Sequence, residues 1–406
     1  MNRLKSNFLW NTIGSSFYLL TQWLLMIIIV RIDGNYAAVG LLSQCMAIGS
    51  VALVIASYNI RQYQVSDVNN MFSQSDYVTH RVITSVITVF IILLSCFIIG
   101  YDTNSATAII LYTLFKITEA IADVYFGITQ KHERMDYIGK SFVIKGALTF
   151  IAFTVLYYLY SNLIIAITGM FVLSLLVTAL YDRSRAQLFS ETTIKPSKKV
   201  YLKILKTCFS VFFYGLSIVV IPAIPRLYLE KLHGQEILGI YSSAATLAII
   251  VQIGVLYLFT PLVTVFTKYH NEKNRRFFKL FFLVIFVTVI LGIVVTIIAE
   301  LTGEWVLDIL FNQSIVPYSR IFTTATIGSM LLGLCWFLFM LLTVMRKTKT
   351  IFIGSIIGIF ASVLATIVSI PLYGIDGVNY VLIFTYAVLS VYALVGIAAN
   401  MRTDRT

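Results

Sequence analysis

Residues 82–100, VITSVITVFIILLSCFIIG, decide the fold class, because they contain no charged side chain in 19 consecutive positions. A helix needs about 20 predominantly apolar residues to cross the hydrocarbon core of a bilayer. Comparable runs recur along the whole chain. They are 9–30, 37–59, 82–100, 106–128, 142–160, 163–181, 208–229, 237–260, 280–299, 319–343, 351–371 and 378–399. The sequence therefore predicts an all-α integral membrane protein with about twelve transmembrane helices.

The composition agrees with a lipid-embedded chain. Hydrophobic residues make up 59% of the 406 residues and charged residues only 12%, whereas soluble domains carry about 25% charged residues. The net charge of +12 does not indicate nucleic-acid binding, because the basic residues are spread over short connections instead of forming one patch. The four cysteines all fall inside apolar runs, so no disulfide framework or metal spacing is expected.

The basic residues predict an orientation. Of the 30 lysines and arginines, 25 lie in connections on the side of the N-terminus and four on the opposite side, with Lys116 inside a run. Such a bias places both termini in the cytoplasm. The predicted organisation is an N-terminal six-helix lobe (1–182), a basic cytoplasmic linker (183–207) and a C-terminal six-helix lobe (208–406).

Three ionisable residues share the fourth run. Lys116, Glu119 and Asp123 are spaced by three and four residues, which puts them on one helical face. Charges inside a membrane are costly and therefore mark functional positions. One interpretation is a polar stripe lining a central cavity, where the residues touch an anionic substrate or take up a coupling proton or cation. The other is a structural pair of Lys116 with Glu119, with Asp123 near the headgroups.

Three arginines border the runs. Arg31 and Arg226 occupy matching places at the outer ends of the first and seventh runs, and guanidinium groups suit a pyrophosphate because they donate two parallel hydrogen bonds. The alternative is that both side chains simply reach outer headgroups. Arg61, at the cytoplasmic end of the second run, is either a phosphate contact on the uptake side or an ordinary positive-inside anchor.

Pro222 and Pro225 precede Arg226 in the seventh run, where they interrupt helical hydrogen bonding. They indicate either a moving gate element or a static bend. Enzyme signatures are missing: the four histidines are scattered, and no phosphate loop, nucleophile elbow or metal motif is present. We therefore predict no catalytic residue, no metal and no cofactor.

Several short motifs resemble the Wzx-type polysaccharide flippases, which export O-antigen or capsule repeat units. They are Asn7 and Asn11-Thr-Ile-Gly14 in the first run, Arg31 followed by Gly40, Arg134-Met-Asp-Tyr-Ile-Gly139, Ile221-Pro222-Ala-Ile-Pro225-Arg226-Leu227, and Glu236-Ile-Leu-Gly239-Ile-Tyr241. The resemblance covers essentially the whole chain.

The resemblance implies two six-helix lobes of the multidrug/oligosaccharidyl-lipid/polysaccharide exporter superfamily in the bacterial cytoplasmic (inner) membrane. It implies transport of undecaprenyl-pyrophosphate-linked oligosaccharide by alternating access, driven by an ion gradient, with membrane lipids, a coupling cation or proton, a polysaccharide polymerase and a chain-length regulator as further partners. Carried onto this chain, it assigns cavity charge to Arg31 and Arg226. Arg61 and Lys116 are further candidate substrate contacts from their positions in the sequence alone. The chain departs from a purely cationic cavity through Glu119 and Asp123.

Two alternatives remain open from the sequence. A cation-coupled multidrug exporter of the same superfamily would use acids deep in the N-terminal lobe, which Glu119 and Asp123 allow and Arg31 and Arg226 disfavour. A membrane polymerase or ligase of the same pathway would need a large outer loop. The longest outer connection, about 300–318, is too short for one.

Overall fold

The computed structural model describes residues 3–67, 70–259, 262–272, 274 and 276–403. Across these residues the chain forms helices and connections, without a strand. The α-helices are α1 (Arg3–Asp33), α2 (Tyr36–Ser57), α3 (Arg61–Ser66), α4 (Gln74–Ile99), α5 (Thr103–Lys131), α6 (Met135–Tyr160), α7 (Leu163–Val177), α8 (Arg183–Gln187), α9 (Lys198–Thr246), α10 (Ala248–Phe259), α11 (Leu262–Asn271), α12 (Arg276–Leu310), α13 (Ser319–Val344), α14 (Thr348–Tyr373) and α15 (Gly377–Thr403). A π-helical turn (Thr178–Asp182) joins α7 to α8, and 3₁₀ turns cover Gln313–Tyr318 and Gly374–Asp376.

Nine helical stretches in the described residues are long and apolar enough to cross a membrane. Two of them extend over more than one apolar run: Lys198–Thr246 covers 208–229 and the first part of 237–260, and Thr348–Ala399 covers 351–371 and 378–399. Each contains a glycine with positive φ, Gly234 (86°) in the first and Gly374 (55°) in the second. Helix α5, which carries the three ionisable residues of the fourth run, is not among the nine. The prediction of an all-α membrane fold is confirmed, while the count of twelve crossings and the cytoplasmic termini stay predictions.

The chain divides into two compact units, residues 1–219 and 220–406. The boundary falls inside α9, and residues 183–207, predicted as a linker, pack on the first unit. There Ile204 lies in a buried cluster with Tyr58 and Tyr77, and the Tyr58 hydroxyl donates to the Leu205 carbonyl (3.3 Å). The predicted division into two six-helix lobes stays a prediction.

Helix starts in the first unit follow from side chains that accept hydrogen bonds from the first helical N–H groups. Asn35 caps α2, Asp102 caps α5 and Asn162 caps α7. Ser73 and Asp76 form a reciprocal capping box at the start of α4. These polar residues end the connections and begin the membrane helices.

Helices α1 and α6 approach each other most closely at two glycines. A Cβ atom added to Gly139 would lie 2.0 Å from the Trp10 carbonyl oxygen, and one added to Gly14 would lie 2.2 Å from the Gly139 oxygen. Such approach of two backbones requires residues without side chains. Helix α1 is thereby packed tightly against α6.

In the second unit, α9 continues as a helix through Pro222 and Pro225. Pro225 has no N–H to donate to the Ile221 carbonyl four residues earlier. The Ser362 hydroxyl of α14 donates to that carbonyl instead (3.0 Å), as membrane helices often require at prolines. Regular helical geometry is interrupted at Gly234. Whether the prolines act as a gate stays a prediction.

Candidate functional site

The ionisable residues of α5 form two separate groups in the first unit. Lys116 Nζ lies 2.8 Å from Glu119 Oε1, and both side chains are largely buried. The Tyr18 hydroxyl of α1 donates to the same Glu119 oxygen. The ammonium of Lys116 lies 4.9 Å from the centre of the Phe115 ring. This group is a buried ion pair with a shared hydroxyl donor.

Asp123 makes a different set of contacts. Its carboxylate accepts hydrogen bonds from Arg61 Nη1 (3.2 Å) and from Arg81 Nη2 (2.9 Å). Arg61 also donates through Nε (3.0 Å) and Nη2 (2.8 Å) to Gln130 Oε1. Two guanidinium groups thus share one carboxylate, which leaves one net positive charge.

Arg81 was missed by the sequence analysis, which counted it among the basic residues of a cytoplasmic connection. In the structure it belongs to α4 and its side chain is fully buried. Besides Asp123 it donates to the Ala56 carbonyl (3.4 Å). Two features of the sequence could have indicated this pairing. Arg81 stands directly before the apolar run 82–100, and the next run, 106–128, contains the acid Asp123. A buried arginine requires a partner of this kind.

Arg61 and Asp123 border an open pocket of about 520 Å³. Tyr58 and Asn59, both with φ of 49°, turn the chain from α2 into α3 and bring polar residues to this pocket. It is lined by Asn59, Arg61, Gln62, Val65, Asp123 and Gln130. A guanidinium with neighbouring carboxamides can bind an anion such as phosphate. Across the described residues no group of three or more metal-ligating side chains occurs.

A second buried ion pair lies elsewhere in the first unit. Lys145 Nζ is 2.7 Å from Asp182 Oδ2, and the side chains are only 2% and 1% exposed. Asp182 belongs to the π-helical turn, a conformation often found at functional positions. Lys145 was counted with the 25 basic residues of the connections, whereas in the structure its side chain is buried within α6 against its counterion.

Arg226 lies in the second unit, half-buried on α9. Tyr241 lies near its guanidinium, and the Tyr241 hydroxyl donates to Asn379 Oδ1 (2.8 Å). The Asn379 amide donates to Thr324 Oγ1 (2.7 Å). Arg226 Nε itself is buried without a hydrogen-bond partner among the described residues, and the role of Arg226 in binding stays a prediction. Arg31, in the last turn of α1, is exposed in the first unit, and its role in binding stays a prediction.

Apolar helices with ionic groups buried among them are typical of polytopic membrane proteins that handle polar substrates. The sequence model for the polysaccharide biosynthesis protein family matches residues 4–270. The chain therefore belongs to this family.

Known proteins agree with this assignment. The chain is 25% identical over 383 residues to the capsular polysaccharide biosynthesis protein CapF of Staphylococcus aureus, covering 91% of this chain and 93% of the relative. Its fold is similar to that of a multidrug resistance MATE family transporter of the MOP superfamily. The inward-facing structure gives a TM-score of 0.73 at 13% identity, over 97% of this chain and 98% of the other. The outward-facing structure gives 0.64 at 14% identity, over 100% and 96%.

The family and the MATE-like fold together support a membrane exporter or flippase rather than an enzyme. The resemblance to Wzx-type flippases drawn from the short motifs is thereby confirmed.

Proposed function

We propose that this protein is a flippase that moves undecaprenyl-pyrophosphate-linked oligosaccharide repeat units across the bacterial cytoplasmic membrane for surface polysaccharide synthesis. The observation that carries the proposal is the arrangement of Arg61, Arg81 and Asp123 beside an open polar pocket. Family membership supports a role in polysaccharide synthesis, and the relative CapF is named for capsular polysaccharide.

The substrate sets two physical demands. Its pyrophosphate and sugars need polar, preferably cationic contacts, and its polyprenyl tail needs lipid. Arg61 is one-quarter exposed and oriented by Asp123 and Gln130, so its donors face a wettable pocket. A phosphate oxygen would replace Gln130 as the acceptor, since hydrogen bonds between ionised partners are stronger than those to a neutral amide. Large apolar side chains exposed on α4 and α12 provide surface for the tail.

Arg81 serves a different purpose in this proposal. Because it is fully buried and bonded to Asp123, it acts as a positioning residue that holds the carboxylate, and through it Arg61, at the pocket. Arg31 and Arg226 are proposed as further phosphate contacts, and Pro222 and Pro225 as the gate. Lys116 is proposed as a substrate contact, and Glu119 and Asp123 as positions where a coupling cation or proton acts. On the outer side, a polymerase and a chain-length regulator would receive the repeat unit.

A second candidate is a cation-coupled multidrug exporter. The buried Glu119 favours this candidate. Its carboxylate accepts hydrogen bonds from the Lys116 ammonium and the Tyr18 hydroxyl, and binding of a proton to the carboxylate would weaken both contacts. A strain lacking this exporter would become more sensitive to cationic drugs and would keep its surface glycan.

Deletion of the gene tests the proposal. The cell should lose surface glycan and accumulate lipid-linked repeats on the cytoplasmic leaflet, measured with a membrane-impermeant glycan probe on inverted vesicles. Normal glycan in a strain without a redundant exporter would refute the proposal, and a gain in drug sensitivity alone would support the second candidate.

Complementation of the deletion tests the site. R61A should abolish glycan export, and R61K should restore it only in part because lysine lacks the planar fork. The matched control is R320A, which removes an exposed arginine and should export normally. Equal export by R61A and R320A at equal protein amounts would remove Arg61 from the site.

Two further arginines are tested in the same strain. R31A and R226A should each abolish export, and the lysine variants should recover it partly. Full export by both alanine variants would remove these residues from the binding site, while leaving the proposed flippase activity itself intact.

A further inference from the structure

We propose that residues 183–206 form a docking surface for anionic phospholipid headgroups of the membrane that holds the protein. This inference does not depend on the transported substrate. It rests on the charge, the rigid attachment and the exposed apolar side chains of a segment that the transport proposal leaves without a role.

The segment is strongly basic and its cations face outward. It contains seven basic residues and a single acid, Glu191, in 24 positions. All seven basic residues are exposed: Arg183, Arg185, Lys195, Lys198, Lys199, Lys203 and Lys206. Glu191 is 74% exposed and 3.4 Å from Lys195, so it offsets little of the charge. An anionic partner is the only complementary one.

The segment is fixed to the first unit by hydrogen bonds. The Lys195 N–H donates to Thr79 Oγ1 (2.8 Å), and the hydroxyls of Ser75 and Thr193 lie 3.2 Å apart. These contacts attach the extended part of the segment to the first turns of α4. The backbone that carries the cations is therefore ordered before binding, and little backbone entropy is lost when a partner arrives.

The beginning of α9 has one buried apolar face and one exposed basic face. Ile204 and Cys208 are buried against the first unit. Lys199, Lys203 and Lys206, at positions i, i+4 and i+7, are exposed on another face, as in helices that lie on charged bilayer surfaces. Lys203 is also 5.5 Å from the centre of the Phe72 ring. One face of this helix start therefore holds the protein core while another offers ammonium groups.

Exposed apolar side chains select a lipid surface over a soluble polyanion. Leu188, Ile194 and Leu202 are 62%, 56% and 45% exposed and lie among the cations. Exposure of these apolar side chains to water is unfavourable, whereas at a bilayer boundary they insert below the headgroups. The segment joins α7 to the main part of α9, and both belong to stretches long and apolar enough to cross a membrane, which places the segment at the bilayer surface. Each lysine or arginine there strengthens binding to anionic lipid by about fivefold at moderate salt.

Lipid retention by the purified full chain tests the inference. The protein is placed in nanodiscs with equal amounts of phosphatidylglycerol and phosphatidylcholine, and bound lipids are counted by native mass spectrometry. The wild-type protein should retain an excess of phosphatidylglycerol, and high salt should remove it because salt screens surface charge. The K198S/K199S/K203S/K206S variant should lose the excess. The K199S/K203S variant should show an intermediate excess and is the informative variant if the quadruple variant fails to fold.

The matched control removes the same charge elsewhere. R276S/K279S/R346S/K349S changes four exposed cations of the second unit and should keep the excess. Equal loss in both quadruple variants would overturn the inference, because retention would then follow net charge alone. No excess in the wild-type protein would also overturn it. So would removal of the excess by RNA or polyglutamate at low salt, which would indicate a site for soluble polyanions.

Discussion

Replacing Asp182 with asparagine removes one charge from an ion pair that is almost entirely shielded from water. The side chains of Lys145 and Asp182 are 2% and 1% exposed, and the charged atoms are 2.7 Å apart. Asparagine keeps the shape of aspartate, so no cavity forms. The ammonium of Lys145, however, would lose its counterion while remaining inside the first unit.

The expected cost follows from this burial. Removing one partner of a buried ion pair costs about 3–5 kcal/mol, whereas removing both charges is often neutral or stabilising. Because the asparagine oxygen still accepts one hydrogen bond, we expect D182N to lose about 3 kcal/mol of unfolding free energy, at the lower end of that range. For a unit of this size the midpoint of thermal unfolding should fall by about 6–12 °C. K145M/D182N should unfold within about 3 °C of the wild-type protein.

The assay is thermal unfolding in detergent, followed by intrinsic tryptophan fluorescence, together with glycan export by the same variants in the deletion strain. An unchanged midpoint for D182N would refute the reasoning, because it would mean that water reaches the pair. A double variant as unstable as D182N would refute it too, since the loss would then not come from an uncompensated charge. If the double variant recovers stability but not export, the pair takes part in transport in addition to stabilising the fold.

Three further predictions concern single contacts. G139A should lose about 1–3 kcal/mol of stability, because its methyl group meets backbone atoms of α1 at 2.0–2.8 Å. The control G254A lies at a helical glycine with open space around it and should be neutral or stabilising by up to about 1 kcal/mol in the same unfolding assay. Equal destabilisation by both variants would contradict the packing argument. Burial raises the pKa of Asp67, but hydrogen bonds from the Met71 and Phe72 N–H groups and the Tyr77 hydroxyl lower the pKa by more. This carboxylate therefore stabilises the fold above pH ~4 and ceases to do so as the pH falls through its lowered pKa. D67A should accordingly lose the same unfolding free energy at pH 6 and at pH 8. A loss of stability confined to pH 8 would contradict this prediction. S362A should lose about 1 kcal/mol of unfolding free energy, because the Ile221 carbonyl then has no donor. In a P225A background a backbone N–H returns to this carbonyl, so the loss caused by S362A should be smaller. An equal loss in both backgrounds would disprove the explanation.

The apolar runs and the basic connections could be interpreted without a structure, because the bilayer fixes the length of a helix and charge fixes its orientation. The helical contacts of Lys116 with Glu119 also follow from their spacing of three residues. The motifs that resemble Wzx-type flippases indicate the family from the sequence alone. All of these signals are local along the chain.

The partners of the buried charges could not be predicted in this way. Arg81 and Lys145 look like ordinary cytoplasmic cations in the sequence, since each stands near the end of an apolar run. Only tertiary packing brings Arg81 to Asp123 across 42 residues and Lys145 to Asp182. The same applies to Ser362, whose hydroxyl replaces a hydrogen bond that Pro225 cannot make.

Hydropathy and charge distribution by themselves determined that this chain is a helical membrane protein and favoured a transporter, because lipid imposes requirements that act on each segment separately. Tertiary structure decided which ionisable groups neutralise one another and which face a pocket, since that depends on distances between helices far apart in sequence. A charged residue inside a membrane protein requires a partner of opposite charge or a hydrogen-bonding group. Only the tertiary structure shows which residue provides that partner.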